Sequence, residues 1–122
     1  MSWKYFKRED FACSHCGENE IQNDFVDRLD ALREVCDFPL VVSSGYRCPK
    51  HNQAVSSTGL TGPHTTGRAV DFAVDRERAV IVLDKALAMP VFRGFGVNQK
   101  GASGRFIHLD AINRPTRTIW SY

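Results

Sequence analysis

Four side chains able to bind metal or move protons, His64, Asp71, His108 and Asp110, stand inside or beside apolar stretches of this chain. His64 and Asp71 lie seven apart in Gly62-Pro63-His64-Thr65-Thr66-Gly67-Arg68-Ala69-Val70-Asp71-Phe72, a glycine-bearing loop running into a strand-like stretch. From Ala69 to Val74 the pattern alternates, with Val70, Phe72 and Val74 apolar and Asp71 between them. A period of two sends the apolar set to one face of a strand and Asp71 to the other. A carboxylate in such a strand is costly unless something pairs it, and a metal ion is one such partner. Arg105-Phe106-Ile107-His108-Leu109-Asp110-Ala111 alternates in the same way. Ile107, Leu109 and Ala111 take the core face, and Phe106, His108 and Asp110 the other. With His64 these strands offer two imidazoles and one carboxylate. Three protein ligands with a fourth position open to water is the pattern of a catalytic zinc site. The competing readings are that Asp71 caps a turn, that His64 is a solvated loop residue, and that His108 is a hydrogen-bonded core histidine.

The wider pattern includes Ser43-Ser44-Gly45-Tyr46-Arg47-Cys48-Pro49, His51-Asn52, His64-x-x-Gly67-x-Ala69-x-Asp71, Phe106-Ile107-His108-Leu109-Asp110 and a late Trp120. In that order and spacing the chain resembles the zinc D-alanyl-D-alanine carboxypeptidases. That family is related to the zinc-bearing signalling domain of hedgehog proteins and to lysostaphin-type peptidases. The resemblance runs from about Phe11 to Trp120. It implies Zn2+ held by His64, Asp71 and His108, with Arg47 steadying the substrate's carbonyl oxygen or carboxylate and Tyr46 and Asn52 contacting substrate. It also implies hydrolysis of a peptide bond in peptidoglycan stem peptides, zinc polarising the scissile carbonyl and activating water. A catalytically weak or inactive zinc-bearing module that binds cell-wall peptides is the alternative, and a metal-free structural domain a third reading.

Two positions depart from the family. Gly62 replaces a serine two residues before the first histidine, and Arg105 replaces the Glu or Asp that many members carry three residues before the last one. A guanidinium stays protonated and cannot act as a base. Asp110 is the substitute to consider, because strand geometry puts it on the face of His108. Four roles stay open: general base, orienter of a ligand histidine, ligand itself, or exposed strand-end residue.

The elements that must position these groups fit one domain spanning residues 1–122, long enough for a single modest core. Residues 22–36 read as an amphipathic helix capped by Asn23 or Asp24, with Phe25, Leu29, Leu32 and Val35/Cys36 inward. Leu40 to Ser43 makes a short strand, Pro49 to Val55 a helical segment, and Phe95-Gly96-Val97 another strand. Asp75 caps a helix running to about Met89, with Val80, Leu83 and Leu87 as its inward stripe and Pro90 ending it. Asn98 to Gly104 is a Gly/Ser-rich loop expected at the rim of the site. The fold class is α+β, with helices packed on a small, mainly antiparallel sheet.

Composition is that of an ordinary soluble domain: 43% hydrophobic, 25% charged and a net charge of +2. No Lys/Arg cluster supports nucleic-acid binding, and a monomer is expected. Met1 to Phe6 carries no apolar run long enough for a secretory signal or a membrane span. Action on the wall then requires release by a phage lysis system or tail delivery, unless a leader has been removed. Cys13-x-x-Cys16 is half of a structural zinc site, which Cys36 and Cys48 could complete. Free thiols or a local pairing are ranked ahead of that second metal, and His15 is read as an exposed turn residue.

Overall fold

The computed structural model describes residues 2–122. It contains three helices, α1 (Asn23–Cys36), α2 (Pro49–Val55) and α3 (Arg76–Leu87), together with short 3-10 turns. Five strands form one sheet: β1 (Val42–Ser44), β2 (Ala69–Phe72), β3 (Gly94–Asn98), β4 (Phe106–Asp110) and β5 (Thr118–Ser121). Their order is β1-β2-β4-β3-β5, antiparallel throughout except for the parallel pair β3–β5. The architecture is the expected α+β class.

Alternation in β2 and β4 sorts the two faces of the sheet. Val70, Phe72, Ile107 and Leu109 are buried in the main core beside Phe25, Leu29 and Leu32 of α1. The opposite face carries a transverse row through all five strands, Ser44, Asp71, His108, Gly96 and Trp120, each paired with the next. Pairing Asp71 with His108 puts the two expected donors side by side, as cross-strand neighbours on one face must be.

Three expectations about the elements need correction, and one strand was not anticipated. The buried residues of α3 are Ala79, Val82 and Ala86, with Leu83 partly buried against the core as expected, whereas Val80 is 66% exposed and Leu87 44%. Both sets have helical spacing, and small residues on the buried side let α3 lie close to α1 and β4. Helix α1 starts after Gln22, which makes no side-chain cap, and Val35 is exposed while Cys36 is buried. The first strand begins at Val42, later than expected. Finally, β5 extends the sheet with a parallel strand that the sequence pattern did not reveal, since Ile119 is exposed and little alternation marks it.

Candidate active site

Each site residue is held by a local device. His64 sits on the short turn Pro63–Thr66, which Gly67 closes in a left-handed conformation at φ +75. A Cβ at Gly67 would strike the Glu20 carbonyl, so the turn requires glycine. The ring is oriented from behind, because His64 Nδ1 lies 2.8 Å from the Gly45 carbonyl oxygen. A carbonyl only accepts, so Nδ1 carries a proton and Nε2 is the nitrogen turned toward Asp71. His64 Nε2 points at Asp71 Oδ1, 3.2 Å away. His108 Nδ1 approaches the same oxygen at 3.0 Å. Asp71, His64 and His108 are all buried, and one donor atom from each lies within 4.8 Å of the others.

Asp110 is wholly buried and not an exposed strand-end residue. Its Oδ2 accepts from His108 Nε2 at 2.8 Å and from Arg114 Nη2 at 2.7 Å, and its Oδ1 accepts from Arg114 Nε at 3.2 Å. Arg114 also lies over the Trp120 ring, 5.1 Å from its centroid. Two glycines of β3 make room for this arrangement. A Cβ at Gly94 would collide with the Asp110 carboxylate, and one at Gly96 would meet Trp120 Nε1 and the Tyr122 hydroxyl at 2.8 Å.

These contacts set the charges. Burial disfavours the Asp71 carboxylate, yet hydrogen bonds from His108 and His64 outweigh it and hold the group well below the usual carboxylate range. Burial likewise opposes the Asp110 charge, but His108 and Arg114 lower its pKa from the ordinary 3.8. For His108 burial disfavours the cation, while its bonds to Asp110 and Asp71 raise it above 6.5. A cation is therefore favoured where both imidazoles and Asp71 converge.

Arg47 reaches the same point from the end of β1. Its Nη2 lies 3.6 Å from Asp71 Oδ2, while Ser44 Oγ accepts from Nε at 3.1 Å and Asn52 Oδ1 from Nη1 at 3.2 Å. Asn52 itself is fully buried and also donates to Thr58 Oγ1 at 2.8 Å, so it braces Arg47 and does not face the cleft. Tyr46 is buried with Cys13 and Cys48 and also stays away from the cleft. A Cβ at Gly62 would meet Asn52 Nδ2 at 2.8 Å and run into Thr58, which accounts for glycine where serine was expected.

Arg47, His64, Asp71 and His108 line an open cleft of about 850 Å³, together with Ser56 to Thr58, Arg114, Trp120 and Tyr122. Asp71 is the sole carboxylate among the lining residues. The Asn98–Gly104 loop does not form the rim. It lies over the end of β2, where Gln99 Nε2 donates to the Val74 carbonyl and Arg105 approaches Asp75 at 4.0 Å. Sequence reasoning missed Arg114 and Tyr122. The i,i+4 spacing of Asp110 and Arg114 was the one available signal for the former.

Two imidazoles and a carboxylate converging at the wall of a cleft are a donor set suited to zinc, and they leave access from one side. The site is thus that of a metallohydrolase class. The sequence model of the family described as Peptidase M15 matches residues 4–110, and the chain belongs to that family. Among curated proteins, none matches the chain.

Proposed function

We propose that the protein is a zinc peptidase hydrolysing a peptide bond in peptidoglycan stem peptides, of D-Ala-D-Ala carboxypeptidase or endopeptidase type. The observation that carries this reading is the convergence of His64 Nε2, His108 Nδ1 and Asp71 beside Arg47 at the cleft wall. Membership in Peptidase M15 supports it. His64, Asp71 and His108 would hold the ion, which supplies a Lewis acid and an activated water when bound. Arg47, fixed by Ser44 and Asn52, steadies the carbonyl oxygen or the terminal carboxylate of the peptide. Arg114 adds a second positive charge to the cleft lining, suited to an anionic stem peptide. Asp110 acts through His108: by accepting from Nε2 it fixes the tautomer that leaves Nδ1 free to ligate. Tyr122 Oη keeps its proton and offers it as a hydrogen-bond donor in the cleft, since burial and the Asp71 charge raise it from 10.0 against the opposing Trp120 bond. The protein works as a monomer.

One observation favours a second reading, a zinc-bearing module that binds wall peptides without cutting them. The cleft offers no carboxylate besides Asp71, and Arg105 turns away to Gly101 and Asp75. Incubating purified peptidoglycan with the protein, with and without chelator and beside His64→Ala, separates the two. Chelator-sensitive release of stem-peptide fragments or D-alanine is expected. Sedimentation with the wall but no release from any wall preparation would leave the binding module.

A further inference from the structure

Away from the cleft, three of the four cysteines gather at one point. Cys13, Cys16 and Cys48 bring their sulfurs within 4.8 Å of one another, although Cys48 is remote in sequence. Cys36 does not join them; it is buried in the main core at the end of α1. The cluster is built from two short spacings, Cys13-x-x-Cys16 and Cys48-x-x-His51. The first lies on a tight turn, closed by Cys13 N–H to the Glu18 carbonyl at 2.7 Å and Gly17 N–H to the Cys13 carbonyl at 2.8 Å. The second opens α2, with Cys48 as its N-cap.

Backbone N–H groups point at the sulfurs. Cys48 N donates to Cys13 Sγ and His51 N to Cys48 Sγ, each at 3.4 Å. Such donors favour thiolate over thiol, the form that binds metal. An imidazole is also at hand, since His15 Nδ1 lies 3.8 Å from Cys48 Sγ. Two donors on one tetrahedral zinc, with bonds of about 2.1–2.3 Å, stand about 3.6–3.8 Å apart. The His51 ring stacks on His15 with centroids 5.3 Å apart, so a second imidazole stands beside the cluster.

We propose that Cys13, Cys16 and Cys48, with one imidazole of the His15/His51 pair, hold a second zinc ion of structural type. Three thiolates and one imidazole make a closed tetrahedral set, with the thiol protons released to solvent on binding. The ion ties the N-terminal segment to the loop that carries Arg47. That loop is already stitched on both sides, by Tyr46 N–H to the Phe11 carbonyl at 2.8 Å and Arg47 N–H to the His64 carbonyl at 3.1 Å. Burial of Tyr46 beside Cys13 and Cys48 is part of the same clamp. The inference does not depend on the proposed peptidase reading.

Elemental analysis and cobalt spectroscopy of the full chain, purified with reductant and no chelator, test it. About two zinc ions per chain are expected, of which His64→Ala loses one and Cys16→Ser the other. Cys16 is exposed, so its serine variant keeps the fold, and Cys36→Ala serves as the control that keeps both ions. After cobalt exchange, a thiolate-to-cobalt charge-transfer band should appear in wild type and His64→Ala and vanish in Cys16→Ser. The His15→Ala/His51→Ala double variant should keep the band but bind the metal more weakly, with altered visible cobalt bands. A Cys16→Ser protein with the zinc content of wild type overturns the site. So does a His64→Ala protein without the charge-transfer band, or a disulfide between Cys16 and either partner in the reduced preparation. An unchanged visible spectrum in the double histidine variant overturns the imidazole ligand.

Discussion

At the scale of single residues, Arg47 and Asp110 divide two kinds of work. Arg47 touches the cleft and is braced from behind, so its removal should harm substrate handling more than folding. Arg47→Ala is expected to keep its zinc and a melting temperature near wild type while kcat falls by about 10²- to 10³-fold, the usual cost of losing a preorganised charge. Arg47→Lys should recover only part, because an ammonium lacks the planar fork that spans Ser44 and Asn52. A collapsed melting temperature in Arg47→Ala would make it a structural residue. Asp110 is out of reach of the cleft and bonded to His108. Asp110→Asn should therefore weaken zinc binding by about 10- to 100-fold, as loss of a ligand-orienting carboxylate does. When zinc is supplied to saturation, most of the turnover should return. Full metal occupancy with no turnover would instead make Asp110 the proton acceptor.

At the scale of elements, β3 contributes space and not chemistry. Gly94 and Gly96 leave the gaps that Asp110, Trp120 and Tyr122 fill. Gly94→Ala drives a methyl group into a buried carboxylate that cannot move without losing His108 and Arg114. A loss of about 1–3 kcal/mol in denaturant unfolding is expected. Gly101→Ala, with open space around it but a φ of +71, gives the contrasting case of a purely backbone cost, which Gly94→Ala does not carry. A Gly94→Ala protein as stable as wild type would show that the Asp110 pocket has slack. The alternation of β2 and β4 was legible because one face carries apolar core residues and the other the polar site groups, both buried, which forces a period of two in residue type. The buried side of α3 was not, because Val80, Leu83 and Leu87 repeat at the same spacing as Ala79, Val82 and Ala86, and tertiary packing chose the smaller set. Nor could β5 be seen, since its parallel pairing with β3 depends on the return path of the chain and not on its own pattern.

At the scale of the whole molecule, the expected donors His64, Asp71 and His108 were legible as types on faces, but the register that sets Asp71 opposite His108 was not. Arg114, which supports Asp110 from a loop, had almost no sequence signature, because burial of its partner is known only once the sheet is assembled. That buried network also couples the site to global stability through pH. In protein stripped of metal, Asp71 and Asp110 titrate below their ordinary 3.8. Their contribution to stability is present above that value and is lost as pH falls through the lowered folded values. His108 has the opposite sign: raised above 6.5, it contributes fully below 6.5 and its contribution fades as pH rises through the raised folded value. The stripped protein should therefore be most stable between about pH 4 and 6.5 and weaken as pH rises through the raised His108 value. Zinc reverses the alkaline limb. Ligation at His108 Nδ1 requires that nitrogen to be free of its proton, so metal affinity rises over the same range in which the stripped protein weakens. The gap in melting temperature between zinc-loaded and stripped protein should widen from about pH 5 to about pH 8. Calorimetry of both forms across that range decides the matter. A gap that narrows with rising pH would mean that His108 neither holds the proton in the stripped protein nor exchanges it for the metal.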